Sequence, residues 1–133
     1  IEVPQICEPY IRPRALAHLD KGRVVILSAG TGNPFFTTDT AAALRALELE
    51  AEALFKATRV KGVYDSDPEK NPRAKFYSRL SYNQALSQEL KIMDATALSL
   101  CRDHQLPILV FNLFEKGNLK GALLGKKVGT IVS

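Results

Sequence analysis

A loop between residues 29 and 38 has the residue types needed to bind an anion. It reads Ala-Gly-Thr-Gly-Asn-Pro-Phe-Phe-Thr-Thr. Glycine lets the backbone turn sharply and approach a ligand closely, and Thr31, Thr37 and Thr38 offer hydroxyl groups. The helix predicted to follow presents free N–H groups at its positive end. No Lys-Ser/Thr pair follows, as a Walker A loop requires, and the pattern Gly-x-Gly-x-x-Gly is incomplete. The spacing alone therefore also permits a tight strand-to-helix turn with Thr38 as its cap.

Two aspartates, Asp39 and Asp94, each lie at the start of a predicted helix. An acid there is stabilised by the helix dipole by ~0.3–1 kcal/mol, and an N-cap aspartate contributes about 1 kcal/mol. Asp39 directly follows the threonine-rich loop, so it has a second interpretation as an acid that orients basic groups around a transferring phosphoryl group. For Asp94 the residues alone favour the capping role.

A third candidate region follows a predicted strand and runs from Thr58 to Pro68. The ring of Tyr64 can stack on a purine, and Thr58 and Asp67 can hydrogen-bond to a base and a ribose. The structural alternative is a solvated loop whose acids begin a turn before Pro68.

Aromatic and histidine side chains give weaker signals. Phe35 and Phe36 lie inside a polar loop, where they either fill the core or form a wall beside a base. His18 and His104 lie in predicted helices beside charged residues and are interpreted as surface positions.

Alternating strands and helices are predicted to position these residues. Short apolar runs predict strands over 23–28, 53–57, 108–111 and 129–132. Capping and breaking residues predict helices over 13–20, 38–49, 81–86, 95–104 and 118–124. The stretch 60–75 is predicted to be a long loop with a small hairpin. This order indicates an α/β fold with a mostly parallel sheet covered on both faces, in which ligands bind at the carboxyl ends of the strands.

The composition is that of a globular protein with a mild positive charge. The 133 residues suffice for one modest domain or part of a larger one, and 18 basic against 14 acidic residues give a net charge of +4. The basic residues are not clustered with aromatics, so nucleic-acid binding is poorly supported. A signal peptide and an apolar run able to span a bilayer are not found, so no membrane partner is expected. Cys7 and Cys101 lack metal-type spacing, which predicts reduced thiols in a cytosolic protein.

Longer stretches of the sequence resemble the bacterial and plastid UMP kinases. The segment from Gly30 to Thr40 resembles the nucleoside-monophosphate segment of that family and is long and specific. Residues 54–58 with 62–68 resemble its ATP segment. Further matches, in the family's order, lie at 90–96, 106–112, 117–119 and 129–131. The resemblance therefore covers nearly the whole chain.

This resemblance implies an amino-acid-kinase fold, an αβα sandwich with a mainly parallel sheet. It implies transfer of the γ-phosphoryl group of ATP, bound with Mg²⁺, to UMP, usually by a homohexamer. The implied UMP contacts are Thr31, Gly32, Asn33, Phe35, Phe36, Thr37 and Thr38. The implied ATP contacts are Thr58, Tyr64 and Asp67. Asp39 matches the acid that organises the catalytic lysine and arginine, and Asp94 matches an acid near the reacting phosphates.

The chain departs from the family in two respects. Lys61 stands where the family usually has aspartate. This reverses a charge beside residues 62–68, which resemble the family's ATP segment. The chain also begins at Ile1 and has little more than half the length of a family member. We therefore expect it to be the C-terminal, ATP-binding part of a single amino-acid-kinase domain, inactive alone because the catalytic lysine and the glycine-rich loops lie in the other part. An unpaired sheet edge and exposed apolar surface are expected as well.

Two other functions stay open. One is an amino-acid kinase of the same fold with another acceptor, against which the segment 32–38 argues. The other is a non-catalytic nucleotide-binding module, which truncation and Lys61 favour. The expected compartment is the cytoplasm or a plastid stroma.

Overall fold

A computed structural model describes residues 3–133. The helices are α1 (Arg12–Asp20), α2 (Thr38–Glu48), α3 (Tyr82–Ser87), α4 (Ala95–Asp103) and α5 (Asn118–Leu123). The strands are β1 (Leu54–Thr58), β2 (Val63–Tyr64), β3 (Phe76–Tyr77), β4 (Arg79–Leu80), β5 (Ile108–Asn112) and β6 (Thr130–Val132).

A four-stranded sheet in the order β1-β5-β6-β4 organises the chain. β1 runs parallel to β5, with Leu54 opposite Ile108 and Thr58 opposite Asn112. β4 is parallel to β6, whereas β5 and β6 are antiparallel. β2 and β3 form a separate antiparallel hairpin. The predicted α/β fold with a mostly parallel sheet is therefore confirmed, and the antiparallel β5–β6 pair makes the sheet mixed.

Local capping interactions explain where the helices begin. The Thr37 hydroxyl caps α2 by accepting hydrogen bonds from two backbone N–H groups, so the cap is Thr37 and not the predicted Thr38. Ser81 and Gln84 form a reciprocal capping box at α3. Asp94 caps α4 by accepting from the N–H of Ala97. Among the helices of residues 3–133, none combines the length and apolar character needed to cross a membrane.

The core lies between the central strands and the packed helices α2, α3 and α4. Ile108, Phe111 and Val132 are at most 1% exposed. Ala97 and Cys101 of α4 are equally buried and belong to the same cluster as Ile108 and Val132. Each large apolar side chain buried in this way contributes roughly 1.5–3 kcal/mol of transfer free energy.

A polar cluster fastens the chain before α1 to the C-terminal end of α2. The Tyr10 hydroxyl donates to the Glu48 carboxylate at 2.7 Å, and the Arg45 guanidinium lies 4.0 Å above the Tyr10 ring. Arg45 also pairs with Glu48 at 2.6 Å. Burial alone raises the pKa of Glu48, but the hydrogen bonds from Arg45 and Tyr10 bring it below its ordinary value. The cluster holds the segment before α1 against the end of α2.

The predicted buried strand over residues 23–28 is wrong. These residues have no strand pairing, and Val24 and Ile26 are 90% and 87% exposed. The β-branched run favours an extended backbone, but a strand needs a hydrogen-bonding neighbour. Within residues 3–133 the sheet ends at β1, whose outer edge is unpaired. The apolar surface and the free sheet edge expected from the sequence are found here.

Candidate functional site

The loop that precedes α2 is exposed and sharply folded. Ala29, Gly30, Gly32 and Phe35 all have positive φ angles between 60° and 73°. At Gly30 an added Cβ would meet no atom within 4 Å, so the backbone conformation, and not crowding, favours glycine there. Four such residues in seven produce the close turns that bring the loop to the start of α2.

The loop forms one wall of a large cleft. Of the residues predicted to bind UMP, the cleft is lined by Thr31, Gly32, Asn33, Phe36, Thr37 and Thr38. Phe35 is fully exposed and lies outside this lining, and Phe36 is 50% exposed. The interpretation of the two rings as core residues is therefore wrong. The exposed run 24–28 and residues of α1 form the other walls of the cleft, whose volume is about 1470 Å³.

Thr37, Thr40 and Asp94 form a hydrogen-bonded cluster at the start of α2. The Thr37 hydroxyl accepts from the backbone N–H groups of Asp39 at 3.1 Å and Thr40 at 3.3 Å, and it donates to the Asp94 carboxylate. The Thr40 hydroxyl donates to the same carboxylate at 3.1 Å. Because Asp94 also accepts from the Ala97 N–H at 2.9 Å, a single carboxylate joins the N-termini of α2 and α4.

These contacts determine the charge state of Asp94. Burial by itself raises the pKa of the carboxyl, but the hydrogen bonds from Thr37, Ala97 and Thr40 outweigh burial and hold the pKa below its ordinary value. The residue is therefore ionised at neutral pH. Its role in capping α4 is confirmed.

Asp39 forms an ion pair that the sequence analysis did not predict. Its carboxylate binds the ammonium group of Lys56 on β1. The side chains are 24% and 29% exposed, respectively, so both remain accessible from the solvent. The sequence feature that could have pointed to this ion pair is a single lysine inside the apolar run of β1.

Thr58 lies where the carboxyl ends of β1 and β5 meet. Its hydroxyl lies 2.8 Å from the Val60 carbonyl and 3.2 Å from the Phe111 carbonyl. Thr58 thereby joins the residues that follow β1 to the edge of the sheet where ligands bind in α/β folds.

Tyr64 and Asp67 lie farther along this loop, on and after β2. The Tyr64 ring packs edge-on against Phe76 with centroids 5.4 Å apart. The Asp67 carboxylate accepts from the Glu69 N–H at 3.0 Å and lies 3.9 Å from the Lys70 ammonium. These contacts match the turn at Pro68 that was the structural alternative for Asp67. Among residues 3–133 no hydrogen bond links Tyr64 or Asp67 to Asp39 or Asp94.

Thr130 attaches the β2–β3 hairpin to the sheet and was missed by the sequence analysis. Its buried hydroxyl accepts from the Val63 N–H at 2.8 Å and donates to the Tyr77 carbonyl at 2.5 Å. A Cβ on Gly62 would lie 2.4 Å from the Thr130 hydroxyl oxygen. Glycine at position 62 is thus required by close packing, and β2, β3 and β6 are held as one unit.

Lys61 lies beside the aromatic pair of Tyr64 and Phe76. Its ammonium group is 4.6 Å from the centroid of the Phe76 ring, on which Tyr64 also packs. A cation at this distance is attracted by the face of the ring. The charge of Lys61 therefore lies at the β2–β3 hairpin, apart from the Asp39–Lys56 ion pair.

Comparison with known proteins identifies the family. Residues 4–112 match the sequence profile of the amino acid kinase family. The chain belongs to the amino acid kinase family. Asp39, Lys56, Thr58 and the threonine-rich loop all lie within the matched range.

Three solved structures resemble this chain. The UMP kinase of Bacillus anthracis is 44% identical, with a TM-score of 0.96 over 100% of this chain and 55% of its own. The UMP kinase of Ureaplasma parvum is 42% identical, with a TM-score of 0.92 over 100% of this chain and 57% of its own. The uridylate kinase of Archaeoglobus fulgidus is 31% identical, with a TM-score of 0.74 over 94% of this chain and 59% of its own. The chain thus spans little more than half the length of these proteins.

Proposed function

We propose that this chain is the C-terminal, ATP-binding part of a UMP kinase, which transfers the γ-phosphoryl group of ATP to UMP and yields UDP. The observation that carries the proposal is the identity of 44% and 42% to two UMP kinases along the entire chain. The threonine-rich loop, Asp39 at the start of α2 and Asp94 at the start of α4 agree with it, since phosphoryl transfer depends on positioned phosphates and charges.

The UMP side of the proposed site is the loop 31–38. Its close turns bring backbone N–H groups and hydroxyls to the N-terminus of α2, where an anion is favoured. Phe36 lines the cleft beside this loop and offers a ring to the uracil base. The exposed Phe35 is a second ring able to close over the base.

The ATP side is the carboxyl end of β1 and the hairpin that follows. Thr58 marks the strand end, the Tyr64 ring is available to a purine, and Asp67 is available to a ribose hydroxyl. Because Thr130 attaches β2 and β3 to β6, the hairpin that carries Tyr64 is fixed to the sheet.

The two acids have different roles in the proposed reaction. Asp39 holds a cationic group at the junction of the two loops. Asp94 keeps α2 and its threonine-rich loop in place through Thr37 and Thr40. Residues 3–133 contain no group of three His, Cys, Asp or Glu side chains able to hold a metal ion by themselves. Mg²⁺ would enter the site with ATP and would supply positive charge to its phosphates.

Residues 1–133 alone are proposed to lack turnover. The cleft beside the threonine-rich loop has an exposed apolar wall, with Val24 and Ile26 almost fully accessible, and the similar UMP kinases are nearly twice as long. A homohexamer in the cytoplasm or a plastid stroma, acting in pyrimidine nucleotide synthesis, follows from the same resemblance.

A second candidate function is nucleotide binding without turnover. Lys61 favours it, because the ammonium group over Phe76 lies next to the proposed purine-binding ring of Tyr64 and reverses the charge found in the resembling family.

The test is an intact-mass measurement of the protein at its native length combined with a coupled assay for UDP formation. A mass above the 14.6 kDa of these 133 residues together with UDP formation supports the proposal. UDP formation at 14.6 kDa contradicts the claim that a further segment is needed. ATP binding with no UDP at the larger mass supports the binding module instead.

A further inference from the structure

Lys56 occupies an unusual place for a charged residue. It is the central residue of β1, between Phe55 and Ala57, and it pairs with Val110 of the neighbouring strand. Lysine is disfavoured in strands and is rarely buried, so it is unexpected in the middle of a short apolar strand. Its position therefore calls for a specific role.

The ammonium group of Lys56 is directed toward the start of α2. It binds the carboxylate of Asp39, which lies one residue beyond the end of the threonine-rich loop 31–38. The lysine is thereby held against the part of the site proposed to bind UMP.

Lys56 also lies on the same strand as Thr58, a residue of the part proposed to bind ATP. Side chains two residues apart on a strand point to the same face and are separated by about 6.5–7 Å, so Lys56 and Thr58 share a face of β1. Both are half-buried, whereas the residues between and beside them, Phe55 and Ala57, are exposed. Lys56 thus stands between the strand end near ATP and the loop near UMP.

We infer that the Lys56 ammonium group contacts the phosphoryl group in transit between ATP and UMP. This inference rests on the proposed function and adds a catalytic residue to it. In the transfer, an oxygen of the UMP phosphate forms a bond to the γ-phosphorus, and the bond from that phosphorus to the β–γ bridging oxygen breaks. ADP leaves with the electron pair. Lys56 keeps its protons and stabilises the negative charge on the phosphoryl oxygens.

A purely structural ion pair is the competing explanation. Partly exposed pairs add little to stability, and Asp39 is already favoured by the positive end of α2. The pair nevertheless orients the lysine, since the carboxylate restricts a long and flexible side chain. Asp39 is therefore a positioning residue, and the side chain that it positions is Lys56.

The experiment compares Lys56→Met and Lys56→Arg with the unaltered protein at its native length. Steady-state kinetics with ATP and UMP give kcat and KM, and calorimetric titration gives the affinities for ATP and for ADP. Lys127→Met is the control, because Lys127 is an exposed lysine after α5. Circular dichroism and thermal unfolding of each variant verify that it folds.

The inference predicts that Lys56→Met lowers kcat by roughly 10²-fold and reduces the preference for ATP over ADP by about tenfold. Lys56→Arg is expected to recover part of kcat and part of the preference for ATP over ADP. Lys127→Met is expected to change neither quantity. A folded Lys56→Met variant with unchanged kcat and an unchanged ratio of ATP to ADP affinity overturns the inference and leaves the proposed function intact. If the unaltered protein neither binds ATP nor forms UDP, the proposed function itself fails.

Discussion

The Thr37 hydroxyl caps α2 and at the same time donates a hydrogen bond to the Asp94 carboxylate. Since Asp94 caps α4, one side-chain contact joins the beginnings of two helices 57 residues apart in sequence. The threonine-rich loop ends at this contact. Its position therefore depends on Asp94, and Asp94 acts on the loop through Thr37 and Thr40.

Removing the Asp94 carboxylate is expected to destabilise the chain. Asp94→Ala loses the cap of α4, for which we expect about 1–2 kcal/mol, and leaves the hydroxyls of Thr37 and Thr40 without their acceptor. Urea unfolding followed by circular dichroism measures the change. Asp103→Ala is the control, because Asp103 is exposed and contacts only its neighbour Arg102 among the described side-chain contacts. Equal stability losses for the two variants would show that the cluster does not hold the helices together.

Acid is expected to weaken the same cluster. The pKa of Asp94 is lower in the folded chain than the ordinary value of 3.8. The unfolded chain therefore binds the proton at a higher pH than the folded chain. The stabilisation is complete above the unfolded value and is lost as the pH falls through the lower, folded pKa.

Urea unfolding of the unaltered chain and of Asp94→Asn, measured from pH 6 down to pH 3, tests this. The unaltered chain should lose more stability than the variant over this range. Parallel curves for the two proteins would mean that Asp94 does not couple folding to pH.

Close packing at Gly62 gives a further prediction. A methyl group there meets the Thr130 hydroxyl oxygen at 2.4 Å and the Thr130 backbone nitrogen at 3.0 Å. Gly62→Ala should therefore displace the hairpin from β6 and cost about 1–3 kcal/mol. Gly121→Ala is the matched control, because the nearest side-chain atoms to the new Cβ would be those of Val128, at 3.4 Å, and Lys126. Gly121 also lies inside a helix, where alanine is favoured over glycine.

Thermal unfolding of both glycine variants decides the matter. We expect a lower melting temperature for Gly62→Ala and an unchanged or higher one for Gly121→Ala. If Gly62→Ala melts like the unaltered chain, Thr130 does not approach the loop as closely as described.

Local signals explain most of what the sequence predicted about the fold. The helices after Thr37, Ser81 and Asp94 begin with capping side chains, which act within one turn and can be recognised without tertiary information. The apolar strand over 108–111 was predicted because it is buried on both faces in the core. β4 was missed, because two residues carry no periodic pattern.

Contacts between distant segments explain what the sequence did not predict. The run 23–28 has strong strand propensity but no pairing neighbour within residues 3–133. Lys56 and Thr130 gain their roles from Asp39, 17 residues away, and from Val63, 67 residues away. The spacing of residues along the chain does not reveal such pairs.

The most direct test of the central claim is an acceptor comparison with radiolabelled γ-phosphate. The protein at its native length is incubated with labelled ATP and Mg²⁺ and with UMP, N-acetylglutamate or aspartate as the acceptor, and the products are separated by chromatography. The proposed function predicts labelled UDP and no labelled amino-acid product. Label on N-acetylglutamate or aspartate, with none on UDP, would contradict the assignment of UMP as the acceptor.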